Sequence, residues 1–360
     1  MKKILLIMLA ALSVCTACHR EEKITKLDSS FRFLVNVNDK YGYCDQRGTT
    51  VIPPQFDSAS IFSEGLAVVR INGKDGYIDT TGKVVIQPMF ERALPFMNGR
   101  AAIKKGDRYA FISQSGKQVT DFDFISAFGF TEELAPVVSA KGNEPKAGYI
   151  DVNGKYVIKP QFDDASNFSE GLAAVKVGRQ YGFIDKTGKM VIQPRFYEAA
   201  MFRNGLAMVK VNGKFGVTGY IDKTGAEVIP TIYSAATNFN EGVASVSSKE
   251  SWQLIDRSGK PVPNITITSP TIFSEGLAPV VVSKKIGYMD KTGKMVIKPQ
   301  FEAASIFVDG LAPVKVNGKL GLIDKKGKMV VEARFVWDQR AIDQYLHYNT
   351  HFVAASTDKN

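Results

Sequence analysis

One phrase recurs along the whole chain. Its clearest form is Phe62-Ser63-Glu64-Gly65-Leu66-Ala67, and its fourth position returns at Gly65, Gly99, Glu133, Gly171, Gly205, Gly242, Gly276 and Gly310. The separations are 34, 34, 38, 34, 37, 34 and 34 residues, which defines a tandem array of one ~34-residue unit with inserts of four and three residues. A fixed period of this kind marks a repeat architecture, in which each unit buries its apolar surface against its neighbours. Most residues are accounted for by their place in the unit, so architecture is more legible than chemistry.

The unit from Leu277 to Phe307 decides the fold class. Leu277-Ala278-Pro279-Val280-Val281-Val282 is a β-branched run, followed by Gly287-Tyr288-Met289-Asp290, a Lys-Thr-Gly-Lys turn, and Met295-Val296-Ile297-Lys298-Pro299. A helical repeat of similar period is excluded by the two or three glycines and usual proline per unit. Short, valine- and isoleucine-rich apolar stretches favour strands instead. The chain is therefore expected to be all-β, with about nine three-stranded repeats forming an open superhelix or a closed propeller-like ring.

Between the second and third strands stands Asp-x-x-Gly-Lys, at Asp79, Asp151, Asp185, Asp290 and Asp324. The pattern predicts a hairpin turn whose aspartate caps the backbone and whose glycine takes a positive φ. One carboxylate per loop does not make a calcium site, which needs six to eight oxygens. Two aromatic columns, Phe56 to Phe335 and Phe62 to Phe307, recur in nearly every unit and are expected to fill the core between units, each ring burying about 150–250 Å². A third column precedes the unit's first glycine and drifts in character: Tyr41, Asp75, Tyr109, Ala147, Tyr181, Phe215, Trp252, Ile286 and Leu320. Within it, Tyr41, Tyr109, Tyr181 and Trp252 are the candidate ligand-contacting rings.

The N-terminus gives an address. Lys2 and Lys3 precede an apolar run from Ile4 to Leu12, too short to span a bilayer, and then small residues up to Cys18. Residues 1–17 read as a signal peptide. Val14-Cys15-Thr16-Ala17-Cys18 resembles a bacterial lipobox, which implies lipidation of Cys18 and a polar tether over 18–30. Three acyl chains, at ~0.8 kcal/mol per buried CH₂, would hold the mature protein on a membrane. Only Cys44 would then remain as a thiol, in an isoleucine slot of the repeat, so no disulfide forms within the mature chain.

The net charge of +10 falls to +8 once Lys2 and Lys3 leave, and the excess sits in turn lysines. Exported chains seldom meet nucleic acid, and none is expected as a partner. The three histidines, His19, His347 and His351, lie outside the repeats, and no thiol–histidine pair or phosphate loop is apparent. No catalytic residue, metal site or cofactor is expected, and the chain reads as a non-enzyme.

The repeat text is also specific. Asn212-Gly213-Lys214-Phe215-Gly216, the stretch Gly182 to Phe196, and Phe168-Ser169-Glu170-Gly171-Leu172-Ala173 together resemble the WG repeat family, also called KWG repeats. The likeness covers residues 31–343, although the namesake Trp-Gly is nowhere intact, since Trp252 is followed by Gln253. It implies β-repeats and an exported binding or scaffold role, and carries no catalytic residues. Residues 344–360 would form a capping strand and tail. The inserts at 141–146 and 217–219 are expected in one hairpin and on one rim, and Pro261 to Pro270 departs most from the repeat. The expected function is an envelope-anchored lipoprotein, on a periplasmic or surface face, whose repeat surface binds a protein partner. The alternative is binding of a glycan or the cell wall.

Overall fold

The structure is a computed structural model that describes residues 31–343, apart from 142–143, 214–215, 249–250, 264 and 266. The expected signal peptide, the Cys18 anchor and its tether, Phe215, His347, His351 and the C-terminal strand lie outside the described residues.

The described residues form nine units of antiparallel strands joined by turns, with one helical turn near the end. In the second unit the strands Ser58–Ala59, Leu66–Ile71, Lys74–Asp79 and Val84–Phe90 pair in sequence order. The three long strands are those read from the sequence. The two-residue strand is an addition, pairing Ser58 with Arg70 and Ala59 with Val69 at one edge of the sheet. The two central strands are buried on both faces, with patterns of consecutive buried residues, whereas Val84–Phe90 alternates. Two buried strands and one half-exposed strand per unit follow directly from the apolar runs and the alternating Val-x-Ile-x-Pro pattern.

The aspartate turns form as expected. Asp79 Oδ1 accepts hydrogen bonds from the Thr81 N–H at 2.9 Å, the Thr81 hydroxyl at 2.6 Å and the Lys83 N–H at 3.1 Å, while Gly82 has φ +90°. The same contacts recur at Asp185 and Asp290.

Both aromatic columns are in the core. Phe96, Phe202 and Phe307 are 0% exposed, and only Phe62 and Phe90 are half-buried. The rings do not stack column on column. Every Phe of the second column except Phe273, which packs with Leu254, instead meets the ring 19 residues earlier, as in Tyr77–Phe96 at 4.8 Å, Phe183–Phe202 at 4.9 Å and Tyr288–Phe307 at 4.9 Å. These tilted pairs join one unit to the next. The tyrosine hydroxyls are satisfied in place: Tyr77 donates to the Leu94 carbonyl and Tyr288 to that of Ser305, each 17 residues on.

The array closes on itself. Phe33, Val35 and Cys44 of the first unit share one core cluster with Leu311, Leu322, Val331 and Phe335 of the last. Asn36 Nδ2 and the Tyr41 hydroxyl both donate to Asp338 Oδ2, and an Arg334 N–H donates to the Gly48 carbonyl. The ring form is thus adopted rather than the open superhelix. A helical turn at 339–343 follows the last strand and places Ala341 in the core cluster that holds Leu34.

Two units depart from the pattern. In the others a glycine of the second strand lies under the third strand, and a Cβ on Gly76 would stand 2.6 Å from both the Ile86 carbonyl oxygen and the Pro88 nitrogen. The third strand bulges over that glycine: Tyr77 faces Ile86, but Asp75 faces Phe90. Unit three has Ala110 at this position and unit seven has Gln253, and in both the third strand is broken. Unit three retains only the Ile112–Gln118 bridge and the Tyr109–Phe124 pair. Unit seven retains the Ile255–Pro261 and Trp252–Ile267 bridges.

Candidate ligand-binding site

The four aromatic residues singled out in the sequence are all half-buried and occur in alternate units. Each is engaged locally. Tyr41 belongs to the ring closure through Asp338, and burial, followed by that hydrogen bond, raises its pKa. Tyr109 lies under the Lys104 ammonium at 5.8 Å, and Tyr181 under that of Lys176 at 5.4 Å. The Tyr181 hydroxyl also donates to Asp164 at 2.7 Å. Trp252 packs against the cluster of Leu254, Ile267 and Phe273. The four stand in alternate units, and among the described residues no ring contact joins any two of them.

The expected drift of the third column needs one correction. In the sixth unit Thr218, not Phe215, pairs with Tyr233, because the three-residue insert lengthens the hairpin loop 211–217 ahead of it. The other insert falls in the equivalent loop, 140–145, between Leu134–Ser139 and Lys146–Asp151. Both inserts therefore share one rim, as read from the sequence.

The opposite rim carries a latch that the sequence did not advertise. In five of the eight recurring turns a glutamate with φ near +50° (Glu64, Glu132, Glu170, Glu241 and Glu275) reaches the next unit, while Asn98, Asn204 and Asp309 hold that position in the others. Glu170 accepts from the Gly205 N–H at 3.0 Å and pairs with Lys223 at 3.3 Å; Glu275 does the same with Gly310 and with Lys325 at 2.8 Å. The turn hydroxyl adds a second link, as Ser169 donates to the Phe202 carbonyl at 2.8 Å. Part of the turn-lysine charge is thus spent on ion pairs between units.

Cys44 is 0% exposed, and burial, with help from Asp45, pushes its thiol up to about 12. It packs as a small apolar side chain. Among the described residues no group of three His, Cys, Asp or Glu side chains sits where it could hold a metal ion.

The broken third strand of unit three opens a cleft of about 360 Å³ lined by Gln118, Thr120, Asp121, Asp123, Lys141 and Tyr156, among others. Its origin is local. Thr120 stands where regular units have the isoleucine that meets the next unit's turn glycine, and Phe122 stands where they have proline. The Thr120 hydroxyl accepts from the Phe111 N–H at 2.9 Å, replacing a strand bond, and the chain bows over residues 119–123. Lys141 Nζ pairs with Asp123 at 2.6 Å across the opening. The Tyr156 ring, 40% exposed, packs edge-on against Phe124 at 6.4 Å. The sequence held a signal for this site: unit three loses the Ile-x-Pro pattern and the glycine together.

A closed ring of repeated antiparallel sheets, stabilised from unit to unit and carrying loops on its rims, defines a propeller-like repeat protein. The chain belongs to the family of the WG containing repeat, whose model matches residues 41–74, 76–109, 148–179, 181–215, 219–252, 286–319 and 321–337. The unmatched stretches, 110–147 and 253–285, begin at Ala110 and Gln253. Among solved structures, a eukaryotic initiation factor aligns with TM-score 0.59 at 11% identity, covering 85% of this chain and 95% of that one. Kluyveromyces lactis Hsv2p aligns with TM-score 0.39 at 10% identity over 63% of this chain and 89% of its own. The first of these likenesses bears on the fold alone. No curated protein matches the chain.

Proposed function

We propose that this protein is an envelope lipoprotein, anchored through Cys18 on a periplasmic or surface face of the bacterial membrane, whose ring binds a protein partner. It acts by binding and not by catalysis. The observation that carries this reading is a belt of solvent-facing valines on the third strands: Val85, Val157, Val191, Val228, Val296 and Val330 are each between 38% and 48% exposed. Apolar groups repeated around a rigid ring suit contact with another protein. All six strands bulge and all but Met329–Val336 carry a proline, which guards them against simple edge pairing, so a partner would engage side chains rather than add a strand. The insert loops and the irregular 261–270 segment offer further contact points beyond the regular repeat.

The test is crosslinked co-purification from native membranes, comparing the natural chain with Val191→Lys/Val228→Lys. A discrete protein recovered with the first and depleted with the second is the expected result; recovery of none with either contradicts the reading. A second reading, glycan or cell-wall binding, is favoured by the cleft of unit three.

A further inference from the structure

In unit three the ring abandons its repeat and makes a concave polar surface. We infer that it is a saccharide subsite, taking a neutral or N-acetylated sugar residue of an oligosaccharide, with Tyr156 as the stacking ring and Asp121, Asp123, Gln118 and Lys141 as hydroxyl partners. The assignment deepens the glycan reading and is independent of the protein-partner reading.

Four observations favour a sugar. The cleft's volume lies within the range of small-molecule sites, which pair an apolar wall with a few convergent polar groups. Its polar lining mixes acceptors with donors: two carboxylates, one ammonium and one amide that is both. A sugar hydroxyl is itself donor and acceptor, and a vicinal pair of hydroxyls needs both kinds of partner. Its charges, two aspartates against one lysine, leave a net negative lining that disfavours phosphate, sulfate or other polyanions. The aromatic element is an exposed ring whose orientation is set by Phe124 beneath it, and a pyranose presents a C–H face of matching shape.

The site is also tied into the neighbouring strands. Asp123 is held by the Lys141 ion pair, and its carbonyl accepts from the Ala140 N–H at 2.9 Å. Gly154, at the cleft wall, is the turn glycine of the next unit and packs on the Thr120 methyl where other units have isoleucine. The smaller threonine, the bowed strand and Ala110 beneath it together leave the space that Ile and Pro fill elsewhere.

The experiment uses the full chain on an array of neutral and N-acetylated oligosaccharides, followed by calorimetry with the best binder, and with a lysine-rich peptide as competitor class. Saturable saccharide binding is expected, weakened at least about tenfold in Tyr156→Ala, which corresponds to about 1.4 kcal/mol, and kept within about threefold in Tyr156→Phe. Asp123→Asn should weaken it by a comparable factor, and all variants are checked by thermal melting. Should Tyr156→Ala fail to fold, the contrast between Tyr156→Phe and Asp123→Asn decides. Glycan binding that is indifferent to folded Tyr156→Ala and Asp123→Asn overturns this site while sparing the glycan reading. Absence of any glycan binding, or binding of the peptide alone, overturns both.

Discussion

The carbonyl oxygen of Ile86 lies where a Cβ on residue 76 would come within 2.6 Å, and residue 76 is glycine. The same approach recurs at Gly148 on Ile158 and Gly219 on Ile229, each at 2.6 Å. Positive φ is not the reason, since these glycines are absent from the left-handed set. Close backbone approach is what the repeat's glycine provides. Where Ala110 and Gln253 replace it, the third strand gives way.

Gly182→Ala is accordingly expected to cost at least about 1–3 kcal/mol, the usual range for overpacking, because the new methyl meets the Ile192 and Pro194 backbone rather than a flexible side chain. Urea midpoints of the two proteins check this. An unchanged midpoint would mean that the strand can rise off the glycine at little cost.

Phe202→Ala removes a fully buried ring that joins units five and six, and is expected to cost about 3–5 kcal/mol. Lys223→Ala loses one half-exposed ion pair with Glu170 and is expected to cost under about 1 kcal/mol. Equal urea midpoints for these two variants would place the column outside the core.

The turn aspartates give stability a pH dependence. Hydroxyl donation from Thr81, Thr187 and Thr224, the largest influence, with backbone N–H groups behind it, holds Asp79, Asp185 and Asp222 below the ordinary carboxylate range. A carboxylate depressed in the folded state stabilises above its unfolded pKa of ~3.9, and that stability is lost as pH falls through the folded value. Melting temperature is therefore expected to hold from neutrality to about pH 4 and to fall below it. Thr81→Ala, Thr187→Ala and Thr224→Ala combined should flatten that fall.

Much of this architecture can be read before any coordinates. The 34-residue period fixed the units, Asp-x-x-Gly-Lys fixed their turns, and Phe96 or Phe307 needed only its recurrence to be placed in the core. Closure was not legible, because it depends on a small rotation added nine times and on Asn36, Tyr41 and Asp338 meeting across some 300 residues of sequence. The role of the glycine was hidden for a related reason: a close approach is a property of two strands, not of one motif. Of the rings chosen as ligand contacts, Tyr41 and Tyr181 have structural hydrogen bonds that no periodicity could announce. The cleft is hard to read because Thr120 and Phe122 keep the repeat's length while changing its shape.

Anchoring is tested by metabolic labelling with a fatty-acid analogue. Label on the natural chain, lost in Cys18→Ser together with release into the soluble envelope fraction, is the expected outcome. Label that survives the substitution would remove Cys18 from the account.

Ring closure is the central structural claim, and it rests on the contact of Asn36 and Tyr41 with Asp338. Small-angle scattering from the repeat region, residues 31–343, measures it directly. Contact of the first and last units predicts a radius of gyration near the compact-domain value of about 20 Å, with a pair-distance distribution that is bounded and symmetric. Asp338→Ala, which removes the acceptor shared by Asn36 and Tyr41, should leave that shape intact while lowering stability. A long-tailed distribution with a much larger radius, the mark of an open superhelix, would contradict the closed ring.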